Sequence, residues 1–381
     1  MPFPLFDART ASRIRVLIVD DSAVMRSLLR SVVSTDSALE VAGTASDGLS
    51  ALNALTVIQP DLVLLDVEMP VMDGLETLKQ MRERAPRLPI IMCSALTQRG
   101  AQVTIESLAS GASDYVAKPA GQASREAATQ ALAAELIPKI RALTMRRPVP
   151  FAARRPGLFP APAAPRLATL RASSAAPAAV VIGVSTGGPA ALDVILPALP
   201  ASFPLPVFVV QHMPDLFTRQ LAERLNSRCA LGVREAEEGM SVRAGQIYIA
   251  RGNWHMKLVA GAAAGHPHTL HLDQDPPENH CRPSVDVLYR TAAQAYGGSL
   301  LAVMLTGMGH DGLAGTRILH NLGATIVAQD EATSAVWGMP GAIVHEGLAH
   351  TVLPLRQIAA EILRLCVKPH SEALLLRESA G

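Results

Sequence analysis

Aromatic residues are scarce, at 3% of the 381 positions. With 49% of residues apolar, the cores must be built from Ala, Val, Leu and Ile. Cysteine is sparse too: the four thiols (Cys93, Cys229, Cys281, Cys366) lie far apart with no CxxC spacing. That pattern argues against a disulfide scaffold and against structural zinc. Neither charge sign is in excess, with 34 Lys and Arg against 33 Asp and Glu. No single-sign field therefore points to nucleic acid or an anionic membrane as the main partner. The N-terminus lacks a long hydrophobic run. Asp7, Arg9 and Arg13 precede only Val16–Val19, which ends in two aspartates. This is neither a signal peptide nor a membrane-inserting span, so a cytoplasmic protein is expected. What the chain does have is length enough for two or three domains with full cores.

After about thirteen residues, apolar strands alternate with helix-period segments. Strands are expected at Arg15–Val19, Leu39–Gly43, Asp61–Leu65, Leu88–Met92 and Ser113–Ala117, with helices such as Ala23–Val33 and Gly74–Arg84 between them. Five such units predict a doubly wound parallel sheet, whose ligands sit beyond the carboxyl ends of its strands. Those ends carry Asp20 and Asp21, Asp66, Ser94, and Lys118-Pro119. Three converging carboxylates repel, which either raises a pKa or calls for a cation, and an all-oxygen set with room for water suits Mg2+. A carboxylate beside Mg2+, an ammonium and a hydroxyl can accept a phosphoryl group, because those three neutralise its oxygens. The competing reading is that Asp20 and Asp21 merely cap the following helix.

The stretches VLIVDDSAVMR, DLVLLDVEMPVMDG and YVAKP resemble the receiver domain of two-component response regulators over residues 14–143. The resemblance implies a flavodoxin-like five-stranded fold phosphorylated on Asp66, with Mg2+ held by Asp20, Asp21 and Asp66. It further implies that Ser94 and Lys118 read the phosphoryl group and that Tyr115 is the aromatic switch. Cys93 reads as an ordinary buried thiol.

Residues 145–179 hold seven prolines, eleven alanines, six arginines and no acid, a composition that gives an extended tether. Beyond it, strands are expected at Ala179–Gly183, Val207–Gln211, Gln246–Ile249, Leu300–Leu305 and Ala324–Val327, with a β-hairpin from Met256–Val259 and Thr269–Leu272. This is a second α/β domain with a mostly parallel sheet. Its first strand runs into VVIGVSTGGP. Glycines after a buried β-branched run make a tight strand–helix turn that exposes Ser185 beside free backbone N–H groups, which suits a nucleophile. The strand VFVV ends in Gln211-His212, and LLAVMLTG leads into GMGHDG with Asp311. Three strand ends thus offer Ser185 as nucleophile, His212 as base and Asp311 to orient it. The rivals are His310 as base and a metal site among His255, His280 and the His266, His268, His271 cluster. Cys281 matches no nucleophile motif and reads as structural. The GxSxG spacing around Ser185 also fits α/β-hydrolases, but those place the acid before the histidine in the chain.

GVSTGGP, QHMP, RPSVDVLY, MLTGMGHDG and WGMP, in that order, resemble the catalytic domain of the chemotaxis protein-glutamate methylesterase (CheB) family. The implied activity is hydrolysis of glutamate γ-methyl esters on chemoreceptors and deamidation of particular glutamines. The implied partners are those receptors and a histidine kinase as phosphodonor. Thr186 and Met308 are implied as backbone oxyanion donors, and the esterase site needs no cofactor. The expected organisation is an extension over 1–13, receiver 14–143, linker 144–177, catalytic domain 178–368 and tail 369–381. Phosphorylation of Asp66 is expected to reposition the receiver and uncover Ser185. The alternative is a response regulator with a DNA-binding or non-catalytic output domain.

Overall fold

The computed structural model describes residues 13–119, 124–144, 176–263 and 266–367, in two units divided between Arg147 and Pro148. The N-terminal extension up to residue 12, linker residues 145–175 and the C-terminal tail lie outside the described residues. Among the described residues no helix is long and apolar enough to cross a membrane.

In the first unit, β1 (Ile14–Val19), β2 (Leu39–Ala45), β3 (Leu62–Asp66), β4 (Ile90–Ser94) and β5 (Asp114–Ala117) alternate with five helices. These are α1 (Ala23–Ser34), α2 (Gly48–Ile58), α3 (Gly74–Arg84), α4 (Gln98–Ala109) and α5 (Arg125–Thr144). The sheet is parallel in the order β2-β1-β3-β4-β5. Every residue of β3 and β4 is buried, which is why both read as continuous apolar runs. β4 begins two residues later than expected: Pro89 has no N–H for the ladder, and only its carbonyl joins, accepting from Val63 N at 3.0 Å. Helix α1 is capped by Ser22, whose hydroxyl accepts from Met25 N at 3.3 Å. It buries Leu28, Leu29, Val32 and Val33, one face at helical spacing. The order of the sheet reverses between β1 and β3, so the crevice lies at the ends that carry Asp20 and Asp66.

The second unit opens with β6 (Ala179–Val184), α6 (Gly188–Ile195), β7 (Val207–Gln211), α7 (Asp215–Asn226), β8 (Gly232–Glu235) and β9 (Gln246–Ile249). A hairpin, β10 (His255–Val259) and β11 (Thr269–Asp273), follows. The chain then forms α8 (Val285–Tyr296), β12 (Leu300–Met304), α9 (Leu313–Asn321), β13 (Thr325–Gln329), α10 (Met339–His345), β14 (Thr351–Leu353) and α11 (Leu355–Cys366). Seven strands form one sheet in the order β14-β13-β12-β6-β7-β9-β8, with every pairing parallel. Among the strands named here, antiparallel pairing is confined to the separate hairpin. β8 and β14 are additional to the five expected strands; both are short edges, and neither carries an apolar run. The chain winds outward from β6 through β7 on one side and from β12 through β13 on the other. The reversal between β6 and β12 is this sheet's switch point.

Candidate active site

Strand register places the candidate residues. β6 and β7 pair Val184 with Gln211, so the next positions, Ser185 and His212, leave the sheet side by side, about 5 Å apart at strand spacing. His212 N donates to Val184 O at 3.3 Å and Ser185 N to Thr306 O at 3.0 Å, which ties the ends of β6, β7 and β12 together. Gly187 then turns the chain with φ 77°, a left-handed conformation open to glycine, and α6 starts at the next residue. Gln211 Nε2 reaches back to Ser185 O at 3.0 Å. The Ser185 backbone is therefore held from both neighbouring strands.

Asp311 meets His212. Its Oδ2 lies 2.8 Å from His212 Nε2. The carboxylate is buried and heavily bonded: Val285 N donates to Oδ2 at 2.7 Å, while Ser284 Oγ (2.8 Å), Asn279 Nδ2 (3.0 Å) and Asp286 N (3.3 Å) donate to Oδ1. Ser284, Val285 and Asp286 form the start of α8, where backbone N–H groups and the helix dipole favour an anion. Burial would raise the Asp311 carboxyl, yet the His212 ring and these donors hold it well below the usual range. Burial also disfavours charge on His212, but Asp311 and then Cys281 outweigh it and lift the ring to about 9. Asn279 donates as well to Asp286 Oδ2 at 2.9 Å, bridging two buried carboxylates that would otherwise repel.

Among the described residues, the Ser185 hydroxyl makes no hydrogen bond to His212. The nitrogen not committed to Asp311, Nδ1, lies 3.6 Å from Cys281 Sγ. His310 is exposed while its neighbour Asp311 is buried, so the two point apart. His268 Nδ1 accepts from Gly261 N at 3.2 Å, and His271 Nδ1 lies 3.0 Å from Glu238; each has its own partner. His255 is buried, with Nδ1 accepting from Ser284 N at 3.3 Å, and so supports the turn into α8.

The second glycine turn closes over the first. A Cβ on Gly307 would lie 2.9 Å from Ser185 Cβ, so only glycine admits this approach. Gly307 O accepts from Gly338 N at 3.0 Å and Met339 N at 2.9 Å, which is the work of the WGMP stretch. Thr306 Oγ1 donates to Thr186 O at 2.9 Å, bridging the two turns. Met308, which follows Gly307, donates its N–H to none of the described residues.

In the first unit Lys118 Nζ lies 2.8 Å from Asp20 Oδ2 and 2.7 Å from Asp66 Oδ1. Asp20, Asp21 and Asp66 offer oxygens within 4.8 Å of one another. The helix cap is Ser22, not the aspartates; Asp20 Oδ1 instead accepts from Ser22 N at 2.9 Å. Asp20 Oδ2 is buried against the Lys118 ammonium at 2.8 Å, so that ammonium already neutralises part of the carboxylate cluster. The all-oxygen donor set fits Mg2+. Burial raises Asp66 to about 6, more than Lys118 lowers it. Ser94 is buried with its hydroxyl donating to Ala95 O at 3.2 Å. Tyr115 is buried under the Lys139 ammonium, 5.0 Å from the ring centroid.

Residues 180–362 match the CheB methylesterase family, and residues 16–130 match the response regulator receiver domain. The protein-glutamate methylesterase/protein-glutamine glutaminase of Trichodesmium erythraeum is 44% identical over 92% of this chain and 99% of its own. The chain belongs to the CheB methylesterase family. A relative of the same name from a Nocardioides species is 46% identical over 92% of this chain and 95% of its own. The CheB methylesterase catalytic domain of Thermotoga maritima, known from its crystal structure, is 44% identical, covering 50% of this chain and 98% of that one at TM-score 0.48. The receiver match implies Mg2+ in the first unit.

Sequence reasoning did not place two neighbours of this site. Asn279 carries no motif signal of its own. Cys281, expected to be structural, faces the free nitrogen of His212. Its position just before RPSVD, the segment that grips Asp311, was the available signal.

Proposed function

We propose that this protein hydrolyses glutamate γ-methyl esters on chemoreceptors and deamidates particular receptor glutamines, under control of phosphorylation at Asp66. One observation carries the reading: His212 sits on the strand end beside Ser185 with Nε2 bound to a deeply held Asp311 carboxylate. Nδ1 then serves the nucleophile. Ser185 Oγ attacks the ester carbonyl while its proton passes to His212 Nδ1, and Asp311 stabilises the imidazolium. The tetrahedral oxyanion is met by backbone N–H groups of Thr186 and Met308, each contributing about 3–4 kcal/mol. Collapse releases methanol with the proton from His212. Water, activated by the same ring, then clears the acyl-enzyme. An amide passes through a similar intermediate, so glutamine deamidation follows from the same site. No step of this chemistry calls on a cofactor.

In the receiver, Asp20, Asp21 and Asp66 would hold Mg2+, which neutralises charge on the phosphoryl group transferred to Asp66 from a histidine kinase. Lys118 and Ser94 contact the phosphoryl oxygens, and Tyr115 responds by changing its packing. The reading places the protein in the cytoplasm, where receptor helices present these glutamates. The test is methanol release from methylated receptor, with and without a small phosphodonor. Wild type is expected to release methanol faster with the donor, Asp66→Ala at one unresponsive rate, and Ser185→Ala about 10³-fold more slowly or worse. Full turnover by Ser185→Ala would end the serine mechanism.

A further inference from the structure

The thiol beside the base is unused by this mechanism. Cys281 Sγ lies 3.6 Å from His212 Nδ1 and 3.4 Å from Asn279 O. Cys281, His212 and Asp311 come within 4.8 Å of one another, but the ring divides them: Nε2 faces the carboxylate and Nδ1 the thiol. The nitrogen that must serve Ser185 is therefore the nitrogen that Cys281 addresses. The thiol is also fixed in place. Glu278 and Cys281 exchange backbone hydrogen bonds of 3.1 and 2.8 Å, and both terminal guanidinium nitrogens of Arg290 donate to Glu278, at 2.6 and 2.7 Å. Arg282 forks onto Asn253 Oδ1 at 2.7 and 3.2 Å. Cys281 is half-buried rather than enclosed.

We propose that Cys281 is a peroxide-sensitive thiol whose oxidation occupies His212 Nδ1 and reversibly shuts off the esterase site. The inference rests on the function proposed above. His212 Nδ1, 3.6 Å from the sulfur, takes the Cys281 S–H proton as the sulfur attacks, the part an adjacent base plays in activating a nucleophile. The sulfur attacks one oxygen of hydrogen peroxide. An S–O bond forms and the O–O bond breaks; the departing hydroxide takes the imidazolium proton and leaves as water. Sulfur loses two electrons and peroxide gains them, giving sulfenic acid. The new S–OH donates to Nδ1 and interposes an oxygen where the serine proton must travel. A small thiol reverses the change: it condenses with the sulfenic acid to a mixed disulfide and water, and a second thiol frees Cys281. The other thiols lack this setting. Burial pushes Cys229 up to about 11 and Cys366 to about 12, and Cys93 is fully enclosed with its ionisation strongly suppressed by burial.

The test uses the full chain and expresses each protein's methanol release after hydrogen peroxide as a fraction of its own untreated rate. Wild type is expected to lose at least tenfold and to recover with dithiothreitol, which does not reverse methionine oxidation. Cys281→Ala and Cys281→Ser are expected to keep most of their rate. A β-diketone probe for sulfenic acid, read by mass spectrometry, should label Cys281 ahead of Cys229, and His212→Gln should abolish that preference. Loss of activity by the Cys281 variants in step with wild type, or an oxidised Cys281 with an unchanged rate, overturns the proposal. Absence of methanol release from untreated wild type overturns the esterase reading instead. The labelling, which needs no turnover, then still decides whether His212 activates the thiol.

Discussion

His212 carries opposing demands. A base must be neutral to take a proton, yet Asp311 overcomes the effect of burial and lifts the ring to about 9. The rate constant kcat/KM is therefore expected to climb as pH rises through about 9, where the imidazolium gives up its proton, and to level off above it. Asp311→Asn should move the inflection down toward the ordinary histidine range and cut turnover; an unmoved inflection would detach it from this pair. The stability linkage runs the other way. A folded-state value above the unfolded one contributes stability that is complete below about 6.5 and lost as pH rises through about 9. Asp66 is raised as well, to about 6, so its linkage has the same sign, but here the raised value means that the fold disfavours the charged form. Its charge costs the receiver stability once pH exceeds the unfolded value near 4, and the cost is complete above about 6. At pH 7.5 Asp66→Asn should stabilise the receiver by roughly 1–3 kcal/mol, visible as a higher Tm in a thermal melt.

At the scale of elements, α8 is the part whose role is least visible in its residue types. Its first turn supplies the donors that hold Asp311, and Asn279 bridges Asp311 to Asp286. Asn279→Ala should leave those carboxylates facing each other unrelieved, a cost of about 1–3 kcal/mol for an unmade buried bond. The expected signature is kcat about tenfold lower or more with KM little changed, measured by steady-state methanol release. The sheets were largely legible in the residues, because buried parallel strands such as LVLLD and VFVVQ announce themselves as apolar runs. The expected ranges of β7 and β9 coincide with those observed, and β6 is longer by one residue. The edges were not: GVRE and TVL bury too little to carry a pattern. Among the candidate residues, Ser185, His212 and Asp311 could be placed because each ends a strand or opens a glycine turn. Asn279 and Cys281 sit in an irregular segment where both Asn279 and His280 have positive φ, and no periodicity reaches such a segment.

For the whole molecule, the decisive link is between a phosphoacceptor in one unit and a hydrolase in the other. Phosphodonor and Mg2+ should raise methanol release by the full chain, and omission of Mg2+ or the Asp66→Ala substitution should abolish the rise. A chain beginning near residue 178 should outpace the unphosphorylated full chain; an equal or lower rate would remove restraint by the receiver from the account.

The pairing of β6 with β12 joins segments about 120 residues apart, and Thr306 Oγ1 to Thr186 O spans that separation. A hydrolase assembled across so long a loop cannot be partly competent during refolding, since closing such a loop is slow and comes late. Recovered turnover should therefore lag the return of helical circular dichroism after dilution from denaturant, and activity that returned together with the first helices would show that the centre assembles before its sheet does.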